Sequence, residues 1–244
     1  MIKTLVQNSL RLLGVQLRNI PTSEQLRQLA EAEQKKRLQW LIDMQIKTVF
    51  DIGANTGQFA ETIYKLLPDA MIYSFEPLPD CYEELVASFA GKQRFKGFNL
   101  ALGNETGKIK MNRNDFSPSS SLLPMAELHK KSFPFTQKEL VQEVSIARLD
   151  DVGSNLELRK PILIKLDVQG FEDKVIAGGM SIIERADILL IELSMEQLYE
   201  NQPLFEDIYQ TLVKLGFKYR GNYDQLYSPL NGKILQIDGI FIKL

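Results

Sequence analysis

The chain reads as an α/β protein built on a mainly parallel sheet, and three features of its sequence predict this. Apolar runs of strand length alternate with amphipathic helical segments over residues 47–100 and again over 161–216. The first run passes through a glycine-bearing turn, Asp51-Ile52-Gly53-Ala54-Asn55-Thr56-Gly57, straight into a helical pattern. Acids close four apolar runs, at Asp51, Glu76, Asp167 and Glu192. In an open parallel sheet the carboxyl ends of the strands share one rim, and that rim binds ligands.

Each element has a local reason. Residues 1–20 place Ile2, Leu5, Val6, Leu13, Leu17 and Ile20 at helical spacing, with Lys3, Arg11 and Arg18 as the charges, and Pro21 ends the pattern. Residues 22–44 predict a second helix, opened by Thr22 or Ser23 with Glu24 and Gln25 in its first turn. Together, 1–44 are expected to be a helical extension and 45–244 the main domain. Lys47–Ile52 predicts a strand, Gln58–Leu67 a helix stopped by Pro68, Ala70–Phe75 a strand, Pro79–Phe89 a helix, and Arg94–Leu100 a third strand. The alternation then breaks. Gly107–Asn112 and Gln142–Arg148 read as β segments flanking a polar, Ser/Pro-rich stretch, Asn114–Pro134, so an insertion near 104–148 is expected. It is either a substrate lid or wall or a plain solvent loop. Pro161–Asp167 resumes as a buried strand, and Glu172–Arg185 as a helix weakened by Gly178-Gly179. Ile188–Glu192 is a further strand and Leu204–Leu215 a helix capped by Gly216. Phe217–Tyr219, Ile234–Ile237 and Gly239–Ile242 make a closing antiparallel pair.

Composition narrows the function. The 244 residues suffice for one α/β domain with a large core. Net charge is −2, from 29 basic and 31 acidic residues, which gives no electrostatic case for nucleic acid. A single cysteine, Cys81, and a single histidine, His129, leave no disulfide, cysteine-rich zinc site or multi-histidine metal site, and no dense ligand motif demands a metal. No apolar run has the length of a membrane span, and the N-terminus lacks a secretory layout, so a reducing cytoplasm is the expected location. The basic, apolar-faced segment 1–20 has three readings: packing on the domain or on a dimer mate, a lid over the acceptor site, or weak contact with an anionic membrane surface.

The loop Gly53-x-x-x-Gly57 lacks the G-x-G-x-x-G order of dinucleotide sites, and there is no P-loop. Its glycines let a ligand approach the backbone, and the helix behind it presents free N–H groups. Asp51 at its start would repel a diphosphate and attract a cationic amine. Glu76 can accept hydrogen bonds from both ribose hydroxyls. S-adenosylmethionine has that layout: an amino-acid end, a ribose and no phosphate. A tight turn without a ligand is the plain alternative. Lys165 interrupts an apolar strand two residues before Asp167, so the two share a sheet face. The pair is either a structural ion pair or a contact to a substrate hydroxyl near the methyl donor.

These residues resemble the FkbM-type S-adenosylmethionine-dependent methyltransferases. The resemblance rests on Phe50–Gly57, Ser74-Phe75-Glu76-Pro77, Ala101-Leu102-Gly103, Ser120-Ser121-Leu122 and Leu149-Asp150-Asp151. Its most specific part is Ile164-Lys165-Leu166-Asp167-Val168-Gln169-Gly170-Phe171-Glu172. It implies a Rossmann-like class I fold: a mostly parallel seven-stranded sheet with an antiparallel last strand. It implies O-methylation of a sugar, glycan or natural-product hydroxyl. It also implies that Asp51 holds the methionine amine, that Gly53, Ala54, Asn55, Thr56 and Gly57 line the cofactor, and that Glu76, followed by Pro77, takes the ribose. Asn99 to Ala101 would lie near adenine, and Lys165 and Asp167 would face the transfer centre.

Asp167 is the candidate proton acceptor, with Glu192 or Glu172 as substitutes. His129 sits in a polar stretch, His129-Lys130-Lys131, and is expected to be dispensable. Tyr199, Tyr219, Tyr223 and Tyr227 are candidate stacking surfaces for a sugar, or core residues. A nicotinamide-dependent oxidoreductase and a non-catalytic binding protein that keeps the fold are the competing readings.

Overall fold

The computed structural model describes residues 22–243. The expected first helix and its membrane, lid or dimer roles fall on residues 1–20 and lie outside the described residues. Thr22 and Gln25 exchange side-chain-to-backbone hydrogen bonds of 2.9 and 3.2 Å, a capping box that opens α1 (Ser23–Arg37). A second short helix, α2 (Gln39–Asp43), follows, so the segment predicted as one helix is two. The chain divides between Asp43 and Met44, one residue before the expected boundary, and Met44–Leu244 is a unit of its own.

That unit carries a seven-stranded sheet. In chain order its elements begin with β1 (Thr48–Ile52), α3 (Gln58–Leu66), β2 (Met71–Phe75), α4 (Pro79–Ser88) and β3 (Phe95–Phe98). Strands β4 (Ala101–Gly103), β5 (Gly107–Asn114) and β6 (Glu139–Arg148) come next, with α5 (Glu127–Ser132) between the last two. There follow α6 (Leu149–Gly153), β7 (Ile162–Leu166), α7 (Glu172–Gly178), α8 (Met180–Arg185), β8 (Ile188–Ser194), α9 (Phe205–Lys214), β9 (Lys218–Tyr227) and β10 (Ile234–Ile242). The sheet order is β3-β2-β1-β7-β8-β10-β9. All neighbours are parallel except β10, the last strand, which runs antiparallel to both β8 and β9. This is the expected Rossmann-like class I architecture. The mainly apolar central strands bury both faces, as a sheet with helices on each side requires.

Three details differ from the sequence reading. The two β segments around the insertion are longer than expected and form an antiparallel pair, and Ala101–Gly103 joins them in a separate three-stranded sheet, β4-β6-β5. The segment 172–185 is two helices: a Cβ at Gly178 would fall 1.7 Å from the carbonyl oxygen of Gly103, so α7 ends where it touches β4. The closing pair is also longer, because β10 runs through Asp238 with a register shift instead of breaking there. The insertion is no plain solvent loop. Buried Ser121 bonds the carbonyl oxygen of Gln169 at 2.7 Å, and Met125 and Tyr199 form a β-bridge.

Candidate functional site

The strands β1, β2 and β7 end side by side, and their registers set the site. Asp51 lies opposite Ser74 on one side and Lys165 on the other. Gly53 has φ +80, and a Cβ there would lie 1.8 Å from the carbonyl oxygen of Asp167. The β1 loop therefore approaches the end of β7 only because residue 53 has no side chain.

Glu76 follows β2 directly. Its two carboxylate oxygens accept the backbone N–H groups of Asn55 and Leu78, both at 2.8 Å. Burial pushes its carboxyl up to about 7 against the lowering effect of those two bonds. Asp51 is fully buried; Ser74 donates to its Oδ2 at 3.4 Å, and its Oδ1 has no partner among the described residues. Burial, relieved in part by Lys165, brings its carboxyl up to about 6. Lys165 Nζ lies 3.0 Å from Asp167 Oδ2. Burial favours the neutral amine, but Asp167 and Asp51 outweigh it and hold Lys165 protonated above its ordinary value.

Two clefts meet along this rim. The first is lined by Gly53, Asn55, Glu76, Pro77, Ala101 and Asp167, with Phe75, Leu100, Leu102 and Met111 as apolar walls. Its apolar walls with a few polar groups fit a nucleoside. The residues also fit the sulfonium cofactor. The fully buried Asp51 lines neither cleft, but its orphaned Oδ1 suits an ammonium group; Glu76 suits ribose hydroxyls, and the apolar walls suit adenine. Of the other expected cofactor residues, Ala54 is buried under the loop, Thr56 and Gly57 complete the turn into α3, and Asn99 lines neither cleft. Asn99 Nδ2 instead bonds the carbonyl oxygens of Glu76 and Pro77 at 2.9 and 3.0 Å, holding the chain that carries the acid.

The second cleft, about 1010 Å³, shares Pro118 and Gln169 with the first. One wall holds Glu192, Asp224 and Asp238, and the insertion supplies Phe116, Phe133, Phe135 and His129. Glu192 lies within β8, which runs two residues past it. Burial and the neighbouring Asp167 and Glu172 carboxylates raise its carboxyl well above the usual range.

Gln169 joins the clefts. Its Nε2 donates to Asp167 Oδ1 at 2.9 Å and to Glu192 Oε2 at 3.0 Å, while its Oε1 accepts the Tyr199 hydroxyl at 2.9 Å. The sequence reading treated Gln169 only as part of a motif and passed over Asp238. The sequence signal for Gln169 is its place before Gly170; in the structure it holds an uncommon φ of +55 ahead of a glycine with φ +97.

Other expectations change. Glu172 is no substitute base, because it lines neither cleft and its Oε1 accepts the N–H groups of Val168 and Gly170, clamping the turn. His129 is not in a polar loop. It lies in α5, 4% exposed, edge-on to Phe133 and Tyr199, and burial lowers its pKa to about 4. Tyr199 is fully buried and bonded to Gln169 and the Ser119 carbonyl, so it offers no stacking face, while Tyr219 packs on Phe241 in the core. Tyr227 is exposed but lines neither cleft; the exposed aromatic faces of the second cleft belong to Phe116 and Phe135.

Comparison with known proteins agrees with this geometry. The methyltransferase FkbM domain matches residues 51–219, more than half of the chain. The 2-O-methyltransferase NoeI of Sinorhizobium fredii (strain NBRC 101917 / NGR234) is 28% identical over 202 residues, 75% of this chain and 81% of that protein. The 31-O-demethyl-FK506 methyltransferase FkbM of Streptomyces tacrolimicus is 26% identical over 207 residues, 74% of this chain and 76% of that one. Methyltransferase sdnD of Sordaria araneosa is 28% identical over 153 residues, 53% and 59% of the two chains. The oxidoreductase and non-catalytic readings fall away, and this chain belongs to the FkbM methyltransferase family as an S-adenosyl-L-methionine-dependent methyltransferase.

Proposed function

We propose that this enzyme methylates a hydroxyl of a sugar, glycan or natural-product acceptor, with Asp167 receiving the hydroxyl proton. The observation that carries the reading is the Gln169 bridge, which ties a carboxylate of the cofactor cleft, Asp167, to one of the second cleft, Glu192. A methyl acceptor must sit at such a junction. The activities of the relatives, a 2-O-methyltransferase and a 31-O-demethyl-FK506 methyltransferase, support oxygen as the acceptor atom.

The cofactor supplies an activated methyl group, so the chain's own work is alignment and proton handling. Asp51 and Glu76 hold the two ends of the cofactor. Lys165 and Gln169 each donate to one oxygen of Asp167 and fix the plane of its carboxylate. The acceptor hydroxyl bonds to that carboxylate and gives up its proton there. Glu192, whose proton affinity is raised, is the alternate acceptor through the same bridge. The insertion walls the junction. In this proposal α1 and α2 belong to an N-terminal extension. The lone cysteine, Cys81, buried and free, is consistent with a reducing cytosol.

The test is transfer from labelled S-adenosylmethionine into a panel of glycans and hydroxylated metabolites, with the methylated position read by mass spectrometry. Label found only on nitrogen or carbon would refute the proposal.

A further inference from the structure

The Tyr199 hydroxyl has one proton to give and two acceptors beside it. It lies 2.9 Å from Gln169 Oε1 and 3.0 Å from the carbonyl oxygen of Ser119 in the insertion. A hydroxyl also accepts, yet both of these neighbours are acceptors too. The ring is fully buried, held edge-on by His129 at 5.2 Å and by the β-bridge to Met125, so the hydroxyl is fixed in place. Burial and the nearby carboxylates keep its proton on, well above the ordinary phenol value. At the other end of the same amide, Gln169 Nε2 donates to Asp167 Oδ1 at 2.9 Å and to Glu192 Oε2 at 3.0 Å. This orientation suits an ionised Asp167, which only accepts.

A proton on Asp167 reverses the demand. Lys165 Nζ donates to Asp167 Oδ2 at 3.0 Å, which keeps an arriving proton off that oxygen and leaves it on Oδ1, facing Gln169. The new O–H then meets the Gln169 N–H, donor against donor. Turning the amide over about its last side-chain bond removes the conflict. Gln169 Oε1 then accepts the Asp167 proton, and Nε2 donates to the Tyr199 oxygen. Tyr199 in turn gives its whole proton to the Ser119 carbonyl. Glu192 does not oppose the turned amide once it carries a proton, and burial with the neighbouring Asp167 and Glu172 raises its carboxyl well above the usual range. One O–H bond breaks in the acceptor and one forms at Asp167 Oδ1; Gln169 and Tyr199 keep their own protons.

We infer that Tyr199 is a positioning residue for methyl transfer: its hydroxyl is the partner that lets the Gln169 amide turn over as Asp167 takes the proton of the acceptor. This rests on the reading above, in which Asp167 receives that proton, and adds the groups that stabilise its protonated form. A hydrogen bond made to the neutral acid makes Asp167 a better proton acceptor. Tyr199 touches neither cofactor nor acceptor and acts through Gln169 alone. The turned amide also leaves the Ser119 carbonyl with a full bond, so the insertion takes part in the proton transfer through its backbone.

The experiment uses the full chain, nitrogen-labelled in its glutamine side chains and saturated with S-adenosylhomocysteine. NMR near neutral pH follows the Gln169 amide, assigned by its loss in Gln169→Leu. Asp167→Asn is the fixed mimic of the protonated acid: Lys165 takes the carbonyl oxygen of its amide, which turns the N–H groups towards Gln169. In the wild type the Gln169 amide protons should show nuclear Overhauser contacts to the Glu192 side chain. In Asp167→Asn those contacts should give way to contacts with the Tyr199 ring. The same contacts in both proteins overturn the inference. Tyr199→Phe keeps the ring and removes the hydroxyl. Label transfer from S-adenosylmethionine into the panel of glycans and hydroxylated metabolites should drop about tenfold, the worth of one neutral hydrogen bond, with affinity for S-adenosylhomocysteine unchanged. Transfer equal to that of the wild type, or an equal loss of cofactor affinity, also overturns it. Should Tyr199→Phe fold poorly, the amide contacts of the other two proteins still decide. The two readings fail separately: label found only on nitrogen or carbon sinks O-methylation, whereas the amide contacts test the turnover without any acceptor.

Discussion

Gly53 and Asp167 touch through their backbones: a single added carbon at Gly53 would sit 1.8 Å from the Asp167 carbonyl oxygen. The cofactor loop and the transfer residue are therefore held in one unit by the absence of a side chain, and any residue at 53 must separate them.

Gly53→Ala is accordingly expected to abolish measurable S-adenosylhomocysteine binding and to lower stability by about 2–4 kcal/mol, from the clash added to a left-handed backbone that alone costs about 1–2 kcal/mol. Gly91→Ala is the control: it shares a positive φ, of +75, but a Cβ there meets nothing within 4 Å. It should lose about 1–2 kcal/mol and keep full binding. Calorimetry and thermal unfolding of the two variants make the comparison.

Glu76→Ala should weaken cofactor binding by about 1.5–3 kcal/mol, the range for a hydrogen bond to a charged group. Asn99→Ala, which removes only the bonds that hold the Glu76-Pro77 carbonyls, should weaken it less. Titration calorimetry that shows Asn99→Ala as the larger loss would reverse the assigned roles.

Asp167→Asn keeps the shape of the side chain and removes its charge. Turnover should drop by about 100-fold or more with cofactor affinity nearly unchanged. Glu192→Gln should cost less, since Glu192 touches the transfer centre through Gln169. Steady-state kinetics in which Glu192→Gln is the more damaged enzyme would assign the proton to Glu192.

Stability should fall as pH rises through the Glu76 transition. Its ordinary value is 4.5, and burial raises it to about 7 in the fold. Between those values the folded chain keeps a proton that the unfolded chain has released, so the unfolded state binds fewer protons and stability declines with pH. The benefit is complete below 4.5 and gone above about 7. Thermal unfolding of the ligand-free protein from pH 4.5 to 7.5 should show the wild type losing ground to Glu76→Gln across that window. Parallel curves would place the Glu76 proton elsewhere. His129 acts in the opposite sense: its lowered value, about 4, makes acid below 6.5 destabilising, so the comparison must be between variants and not between pH values alone.

The core of this fold was legible in the sequence because its signals are local. Phe50 to Gly57 carries an apolar strand, a turn and a helix start within one stretch, and each depends on neighbours in the chain. The same holds for Asp51, Glu76, Lys165 and Asp167, whose positions at strand ends place them on one rim once the strands are parallel. What only the tertiary structure decided involves residues far apart in sequence. Glu192, Asp238 and Asp224 become a row through strand register, and a register shift in β10 cannot be read from either strand alone. His129 looks exposed between charged neighbours, yet α5 turns it inward onto Tyr199. Gln169 gains its meaning from Glu192 and Tyr199, which lie 23 and 30 residues away. Local pattern determines which elements form and where they end; the juxtaposition of side chains across strands and across the insertion follows from long-range packing, which no single stretch of sequence contains.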